Sequence, residues 1–271
     1  MSTLTSKFRI DHALPTLVAL HAGTSTPRQW LPLIEAARGR WNVIAPPLLG
    51  YEDAPATGAA TTLRDHVDYL HGLLQGLPGP VHLAGHSMGG VVALRYATRY
   101  PARVASLSVY EAICFDLLFG AEGGGVAGDE INHQGNLVVY RVRRQELETA
   151  ARLYVDYWNG RGAWEAMSPD RQRRLVSRMP AAAWEIQALF REPPDAAHYA
   201  FIETPVQVLS GNLSPEPARQ AAARLAQLVP GAVSRELVGL GHLGPVLAPE
   251  RVNPLLLEFA AAHATTLPRA A

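Results

Sequence analysis

Short apolar runs alternate along this chain with longer segments of helical periodicity, and this alternation constrains the fold more than any other feature. Five such runs, several of them ended by glycine or proline, are predicted strands: residues 17–20, 42–45, 81–84, 104–110 and 205–210. Residues 234–238, which follow a predicted helix, are predicted to form a sixth strand. Strands that alternate with helices form a parallel sheet with helices on its faces. The sequence therefore predicts an α/β fold with a doubly wound, mostly parallel sheet.

Helical periodicity fills the segments between most of these strands. Leu63, Val67, Leu70 and Leu74 form one apolar stripe, and Thr62 stands where it can cap the helix. The same reasoning predicts five helices in this part of the chain, at residues 28–37, 63–74, 88–100, 217–228 and 249–263.

The alternation breaks in the middle of the chain. Residues 115–200 carry helical patterns but no convincing strand, and they hold Trp158, Trp164 and Trp184, three of the five tryptophans. We therefore expect an α/β core formed by residues 1–114 and 201–271, with a helical cap inserted at residues 115–200.

Composition excludes several classes of protein. Apolar residues make up 48% of the chain and charged residues 18%, which argues against a disordered protein. The 24 basic and 24 acidic residues balance, whereas a nucleic-acid binder needs a basic face. Cys114 is the only cysteine, so neither an internal disulfide nor a cysteine-based metal site is expected.

Localisation and partners are predicted from what the sequence lacks. No apolar run approaches the roughly 20 residues that span a bilayer, and residues 1–7 do not resemble a signal peptide. We expect a cytoplasmic monomer or homodimer that acts on a small molecule and uses no cofactor, metal, nucleic acid or membrane.

The strongest local motif is Gly85-His86-Ser87-Met88-Gly89, a G-x-S-x-G placed between a predicted strand and a predicted helix. A serine in so sharp a turn needs small residues two positions away on either side, and the two glycines meet this need. The helix N-terminus would favour negative charge that develops near the hydroxyl. Ser87 is therefore predicted to be a nucleophile.

A serine hydroxyl needs a base to remove its proton, and His242 is the best candidate among the ten histidines. It follows the last predicted strand, and loops after parallel strands gather at the sheet edge where Ser87 is expected. His82 and His86 are four residues apart but do not share a helix, so they do not form a helical metal pair. His86 is expected to pack beside the nucleophile.

This arrangement resembles the α/β-hydrolase family over most of the chain. His21-Ala22-Gly23, with Trp30 nine residues after the histidine, is similar to the turn after the family's first strand, although Ala22 replaces the usual glycine. The resemblance implies that the N–H groups of Gly23 and Met88 form an oxyanion hole and that His21 holds the loop.

The acid departs from the family pattern. Its usual position corresponds to Ser214, which cannot carry a negative charge. Glu111, directly after the fourth predicted strand, is our candidate, because some haloalkane dehalogenases of this fold place their acid there. Asp116 is the second candidate. Those dehalogenases use an aspartate nucleophile, whereas Ser87 fits acyl transfer.

The predicted cap holds two further features. Its aromatic residues are expected to form mainly cap core, and four residues are candidates for lining an apolar pocket: Phe115, Phe119, Trp158 and Trp184. Residues 123–128 match G-x-G-x-x-G, but they do not follow a clear strand, so we expect a flexible hinge or cap loop and not a dinucleotide site.

Together these residues predict a serine hydrolase that cleaves an ester, or a related acyl bond, of a small and mostly apolar substrate. The scaffold also supports carbon–carbon bond hydrolysis, perhydrolysis and acyl transfer, and a binding protein with little turnover is an alternative from another class. A carbon–carbon hydrolase needs groups for a substrate carboxylate. Four arginines are candidates, although a solvated helix face is the simpler interpretation of them: Arg141, Arg143, Arg144 and Arg152.

Overall fold

A computed structural model of the chain describes residues 10–119, 125–191 and 197–264. Within them a six-stranded sheet has the order β2-β1-β3-β4-β5-β6, and each neighbouring pair is parallel. The strands are β1 (Thr16–Leu20), β2 (Asn42–Ile44), β3 (Val81–His86), β4 (Val104–Tyr110), β5 (Val206–Gly211) and β6 (Val233–Leu237). The predicted α/β fold and its parallel sheet are thus confirmed.

Ten helices and three 3-10 turns accompany the sheet in the described ranges. The helices are α1 (Leu31–Ala37), α2 (Leu63–Leu74), α3 (Met88–Arg99), α4 (Gly125–Arg143), α5 (Leu147–Asn159), α6 (Pro169–Arg191), α7 (Ala197–Ala200), α8 (Glu216–Leu228), α9 (Gly244–Leu247) and α10 (Pro249–Ala262). The 3-10 turns are Pro27–Trp30, Pro101–Arg103 and Phe115–Leu118. Helix α2 begins as predicted, because Thr62 and Asp65 form a reciprocal capping box.

The strand order positions the site. The chain passes from β1 outward to β2 and then returns to add β3 on the other side of β1. The loops after β1 and β3 therefore leave in opposite directions and open a crevice at the carboxyl ends of the strands, which is where ligands bind in open α/β sheets.

Helices α4, α5 and α6 lie between β4 and β5 in the chain, as the strandless segment predicts. They share a small core of their own that includes Val138, Ala151 and Met179. They also contribute Ile131, Trp158 and other side chains to the main core beneath them. Hydrophobic burial therefore joins these helices to the sheet and covers the crevice.

The G-x-G-x-x-G stretch differs from the prediction in part. Residues 123 and 124 lie outside the described ranges, but residues 125–128 open helix α4. A Cβ atom at Gly128 would lie 3.1 Å from the carbonyl oxygen of Leu118 and 3.4 Å from the ring of Phe119. Gly128 therefore allows α4 to pack closely on the segment after β4, so residues 125–128 form part of a packed helix and not a hinge.

No helix within the described ranges combines the length and the apolar character that crossing a membrane requires.

Candidate active site

Ser87 stands in a strained turn between β3 and α3. Its φ is 54° and its ψ is −117°, a conformation that a residue with a side chain rarely adopts. A Cβ at Gly89 would lie 2.4 Å from the carbonyl oxygen of Leu20, and one at Gly85 would lie 2.6 Å from that of Gly89. Both glycines are therefore sterically required, as the motif predicts.

Three buried side chains form one hydrogen-bonded line across the crevice. Ser87 Oγ lies 3.0 Å from Nε2 of His242, and Nδ1 of His242 lies 2.7 Å from Oε2 of Glu111. A carboxylate accepts, so Nδ1 carries the proton, and Nε2 is left to accept from the serine hydroxyl. The structure thus brings together the three residues that we predicted as nucleophile, base and acid.

Glu111 is fully buried, and its carboxylate is held by hydrogen bonds on both oxygens. Oε1 accepts from the N–H of Gly211 at 2.7 Å and from the hydroxyl of Ser214 at 2.5 Å, while Oε2 faces His242. A buried carboxylate is tolerated when donors surround it. Ser214, which occupies the usual position of the family's acid, therefore supports a carboxylate that comes from a different strand.

The backbone aims Glu111 at this point. Its φ is 45°, and its N–H donates to the carbonyl oxygen of Leu209 at 2.8 Å, so β4 and β5 hold the residue in a left-handed conformation. Asp116, the second candidate, is engaged elsewhere: Arg95 lies 3.2 Å from its carboxylate and the Tyr199 hydroxyl donates to it at 3.0 Å.

The loop that carries His242 is fixed by a relay of side chains that the sequence did not reveal. Gln29 Nε2 donates to Nδ1 of His86 at 3.0 Å, and His86 Nε2 donates to the carbonyl oxygen of His242 at 2.8 Å. Burial holds the pKa of His86 well below its usual range, so the ring stays neutral and keeps one donor and one acceptor. Gln29 also accepts from the N–H of Ala22 at 3.2 Å, which links the loops after β1 and β6.

Two backbone N–H groups remain available beside Ser87. Within the described residues, neither Gly23 N–H nor Met88 N–H has a hydrogen-bond partner in the protein. His21 holds the first of these loops, because its Nδ1 donates to the carbonyl oxygen of Ala22 at 2.8 Å and its Nε2 accepts from Leu48 N–H at 3.1 Å. Burial lowers the pKa of His21 to about 4, so this ring is neutral near pH 7.

A narrow apolar cavity of about 40 Å³ lies against the nucleophile. It is lined by Ser87, Met88 and Gly23, by side chains of α4, α5 and α6 that include Trp158, and by Phe115 of the 3-10 turn after β4. Phe119 and Trp184 are not among its lining residues. Phe119 packs against Phe190, and Trp184 lies off the α6 stripe that faces the cavity.

A second, larger cavity of about 190 Å³ shares Gly23, Tyr154 and Trp158 with the first and reaches His242. The indole of Trp158 stacks on the His242 ring with the ring centres 4.1 Å apart. Three arginines of α6 line this cavity: Arg171, Arg174 and Arg178.

The four arginines that we expected to form a solvated helix face contribute to the lining of neither cavity. Arg141 and Arg144 pair with Glu146, Arg143 donates to Gln187, and Arg152 pairs with Glu165.

Glu185 is a polar residue of the site that our sequence reasoning missed. It is 4% exposed and lies on the same α6 stripe as Ala182, Ile186 and Leu189, which line the apolar cavity. Burial raises the pKa of this carboxyl to about 8. A glutamate within an otherwise apolar stripe at helical spacing is the signal that would have identified it.

The described residues contain no cluster of three or more histidine, cysteine, aspartate or glutamate side chains placed to hold a metal ion.

Comparisons with known proteins identify the family to which the chain is similar. A family model described as the alpha/beta hydrolase family matches residues 17–255. The chain is 23% identical over 241 residues to (E)-2-((N-methylformamido)methylene)succinate hydrolase of Acinetobacter baylyi, a match that covers 88% of this chain and 87% of that one. It is 24% identical over 256 residues to carboxylesterase YbfK of Bacillus subtilis, covering 90% and 80% of the two chains.

The fold is also found among solved structures. A thermophilic esterase from Thermogutta terrifontis, solved with malate bound, superposes with a TM-score of 0.74 at 22% identity, covering 92% of this chain and 91% of that one. A similarity at this level of identity establishes the fold alone.

Proposed function

The chain belongs to the α/β hydrolase family, and we propose that it is a serine hydrolase that cleaves esters of small, mostly apolar acids through an acyl-enzyme. The observation that carries the proposal is the line from Ser87 through His242 to Glu111, with separations of 3.0 and 2.7 Å. The carboxylesterase relative supports the ester as the bond that is cleaved.

In the proposed mechanism, the Ser87 hydroxyl attacks the ester carbonyl while Nε2 of His242 takes its proton. Glu111 keeps the ring in the required tautomer and stabilises the imidazolium. The N–H groups of Gly23 and Met88 bind the oxyanion, and losing one such donor typically costs about 2.7–4 kcal/mol of transition-state stabilisation. His242 then protonates the leaving alcohol and later activates the water that releases the acid, so no step requires a cofactor.

The two cavities assign the two ends of the substrate. The leaving group must receive its proton from His242, so we place it in the larger cavity, which reaches that ring. The acyl group then occupies the apolar cavity, which adjoins Ser87 and Met88. We assign residues 115–200 to a cap that separates the two, with Trp158 as the wall between them.

A second candidate, hydrolysis of a substrate with a carboxylate, is favoured by the arginines that line the larger cavity. Arg171 and Arg174 are exposed, and Arg178 donates to the carbonyl oxygen of Thr24 at 2.8 Å. Guanidinium groups recognise carboxylates well. A leaving group with an attached carboxylate should then raise kcat/KM over its neutral analogue, and equal values would argue for a neutral substrate.

The direct test is Ser87→Ala. We expect it to abolish hydrolysis of p-nitrophenyl butanoate and labelling by a fluorophosphonate while the melting temperature stays close to that of the wild type. Ser177→Ala, on the exposed face of α6, is the matched control and should keep both activities.

The same experiment separates the competing interpretations. Undiminished turnover in the Ser87→Ala variant would remove the proposed mechanism. A wild-type protein that is labelled at Ser87 but does not turn over would instead indicate a receptor-like binding protein.

A further inference from the structure

Glu185 lies over the loop that carries the proposed oxyanion donor. Its Oε2 accepts from the Tyr51 hydroxyl at 2.8 Å, and a Cβ atom at Gly23 would lie only 2.6 Å from the same oxygen. A side chain at position 23 would displace the carboxyl from this position. The carboxyl group is thus built into the wall of the apolar cavity, next to the reacting carbonyl of a bound ester.

The other carboxyl oxygen has no partner. Oε1 is buried and, within the described residues, makes no hydrogen bond. Buried polar atoms are nearly always paired in native proteins, so an orphaned oxygen in a cavity wall points to a ligand. Glu185 lines the cavity that Ser87 also lines, so an acyl group bound there would be the ligand within reach of this side chain.

The direction of the hydrogen bonds shows where the carboxyl proton lies. Tyr51 Oη accepts from the N–H of Thr24 at 2.9 Å, which directs its own proton to Oε2 of Glu185. Oε2 is therefore an acceptor toward Tyr51 whether the carboxyl is neutral or ionised. With its pKa raised by burial to about 8, Glu185 is mostly protonated at neutral pH, and the proton is left on Oε1.

We propose, building on the ester hydrolase function above, that Glu185 selects acyl groups that bear an oxygen acceptor close to the ester carbonyl. Its Oε1–H donates a hydrogen bond to an ether, keto or hydroxyl oxygen of the acyl chain. The acyl side is the one concerned because Glu185 lines the cavity that holds Ser87 and Met88, whereas the leaving group lies beside His242.

The other polar groups around Glu185 do not change their charge near pH 8. Tyr51 and Tyr154 face it from other elements, and burial raises the pKa of both hydroxyls so that they stay protonated. Arg178, on the same helix, donates to Thr24, and Gln134 and Tyr157 line the cavity from α4 and α5. Glu185 is therefore the group of this set that changes its charge near pH 8.

The test compares two esters of equal chain length, p-nitrophenyl methoxyacetate and p-nitrophenyl butanoate, which differ by one oxygen in place of a methylene. The measured quantity is the ratio of their kcat/KM values, in which effects common to both esters cancel. Glu185→Leu should lower this ratio by roughly 3- to 10-fold, the worth of one hydrogen bond between neutral groups.

Two further measurements make the test specific. Glu185→Gln should keep the ratio, because its amide still accepts from Tyr51 and still donates from the other position. In the wild type the ratio should fall as the pH rises through about 8, as Glu185 ionises, and in Glu185→Gln it should stay level. Glu148→Leu, an exposed glutamate of α5, is the control and should leave the ratio unchanged.

The outcomes separate this proposal from the proposed function. If neither ester is cleaved in a manner that depends on Ser87, the hydrolase function itself fails. If both are cleaved but the ratio responds neither to Glu185→Leu nor to pH, only the role of Glu185 fails. A Glu185→Leu variant that does not fold leaves the wild-type and Glu185→Gln pH profiles to decide.

Discussion

Replacing Glu111 with glutamine tests the relocated acid most sharply, because the carboxylate accepts from three donors at once. Those donors are His242 Nδ1, Gly211 N–H and the Ser214 hydroxyl. A glutamine amide offers one accepting oxygen and one donating NH2 group, so it can satisfy only one side of the site.

The amide has two orientations. If its NH2 group faces Gly211, the NH2 group and the N–H of Gly211, both donors, meet where 2.7 Å now separates the N–H from the accepting Oε1. This clash should cost about 1–3 kcal/mol of folding free energy. If its NH2 group faces His242, Nδ1 must become the acceptor, and the proton moves to Nε2, which can then no longer take the proton of Ser87. The second orientation avoids the clash, so we expect it to dominate.

The expected result of Glu111→Gln is a loss of about 10⁴-fold in kcat, as wrong-tautomer variants of other serine hydrolases show. That loss corresponds to about 5.5 kcal/mol of activation free energy. Stability should change little, because the oxygen of the amide still accepts from Gly211 and Ser214. The assay is steady-state hydrolysis of p-nitrophenyl butanoate, with the enzyme concentration taken from absorbance and folding checked by thermal melting.

Asp116→Asn is the matched control. It weakens the pairing of Asp116 with Arg95 and Tyr199, so it should lower the melting temperature while kcat per folded molecule is retained. A kcat for Glu111→Gln within tenfold of the wild type, or a loss of activity in Asp116→Asn instead, would refute this account of the acid.

Three further predictions concern the supports of the site. Ser214→Ala removes a hydrogen bond to a buried carboxylate and should lower the free energy of unfolding by about 1.5–3 kcal/mol in chemical denaturation; no change would mean that Ser214 does not hold the acid. Gly89→Ala places a Cβ 2.4 Å from a backbone oxygen, so this variant should fail to fold or lose at least about 3 kcal/mol of the free energy of unfolding. Gly72→Ala, in an open position of α2, should instead raise the free energy of unfolding by about 0.5–1 kcal/mol. Glu185 has a folded pKa of about 8 against an ordinary value of 4.5, so the folded state keeps a proton that the unfolded state releases, and the stability that this group contributes falls as the pH rises from 4.5 to 8. Across this pH range the free energy of unfolding of Glu185→Gln should therefore rise relative to that of the wild type, by up to about 5 kcal/mol. A difference between the two free energies of unfolding that stays constant with pH would contradict the raised pKa.

The strands and most helices could be predicted because their signals are local. The six predicted strands correspond to the six observed strands, with ends that agree to within two residues. Even β6, whose first four residues are exposed at the sheet edge, was found from its position in the alternation of strands and helices. Periodicity and turn residues are properties of chain neighbours, so they can be read before the tertiary structure is known.

The candidate residues of the site could be predicted from the sequence, but the contacts among them and with their supports could not. Ser87, Glu111 and His242 each follow a strand, and parallel strands bring those ends to one edge. The support of Glu111 by Ser214, 103 residues later, has no local signal, because it depends on how β4 and β5 are paired. Gln29 was missed for the same reason, since its partner His86 lies on a distant element. Glu185 had a local signal, its place in the apolar stripe of α6, but its contact with Tyr51 had none.

The sequence by itself determined the alternation of strands and helices, the sharp turn at Ser87 and the absence of a carboxylate at position 214. Only the tertiary structure decided which carboxylate meets His242 and which buried glutamate faces the substrate cavity. The hydrogen bond of His242 with Glu111 joins residues that are 131 positions apart in the sequence, and its hydrogen bond with Ser87 joins residues that are 155 positions apart. Such contacts depend on the register of whole strands and on the packing of α6 over the sheet edge. Those are global properties of the folded chain, and no short stretch of sequence encodes them.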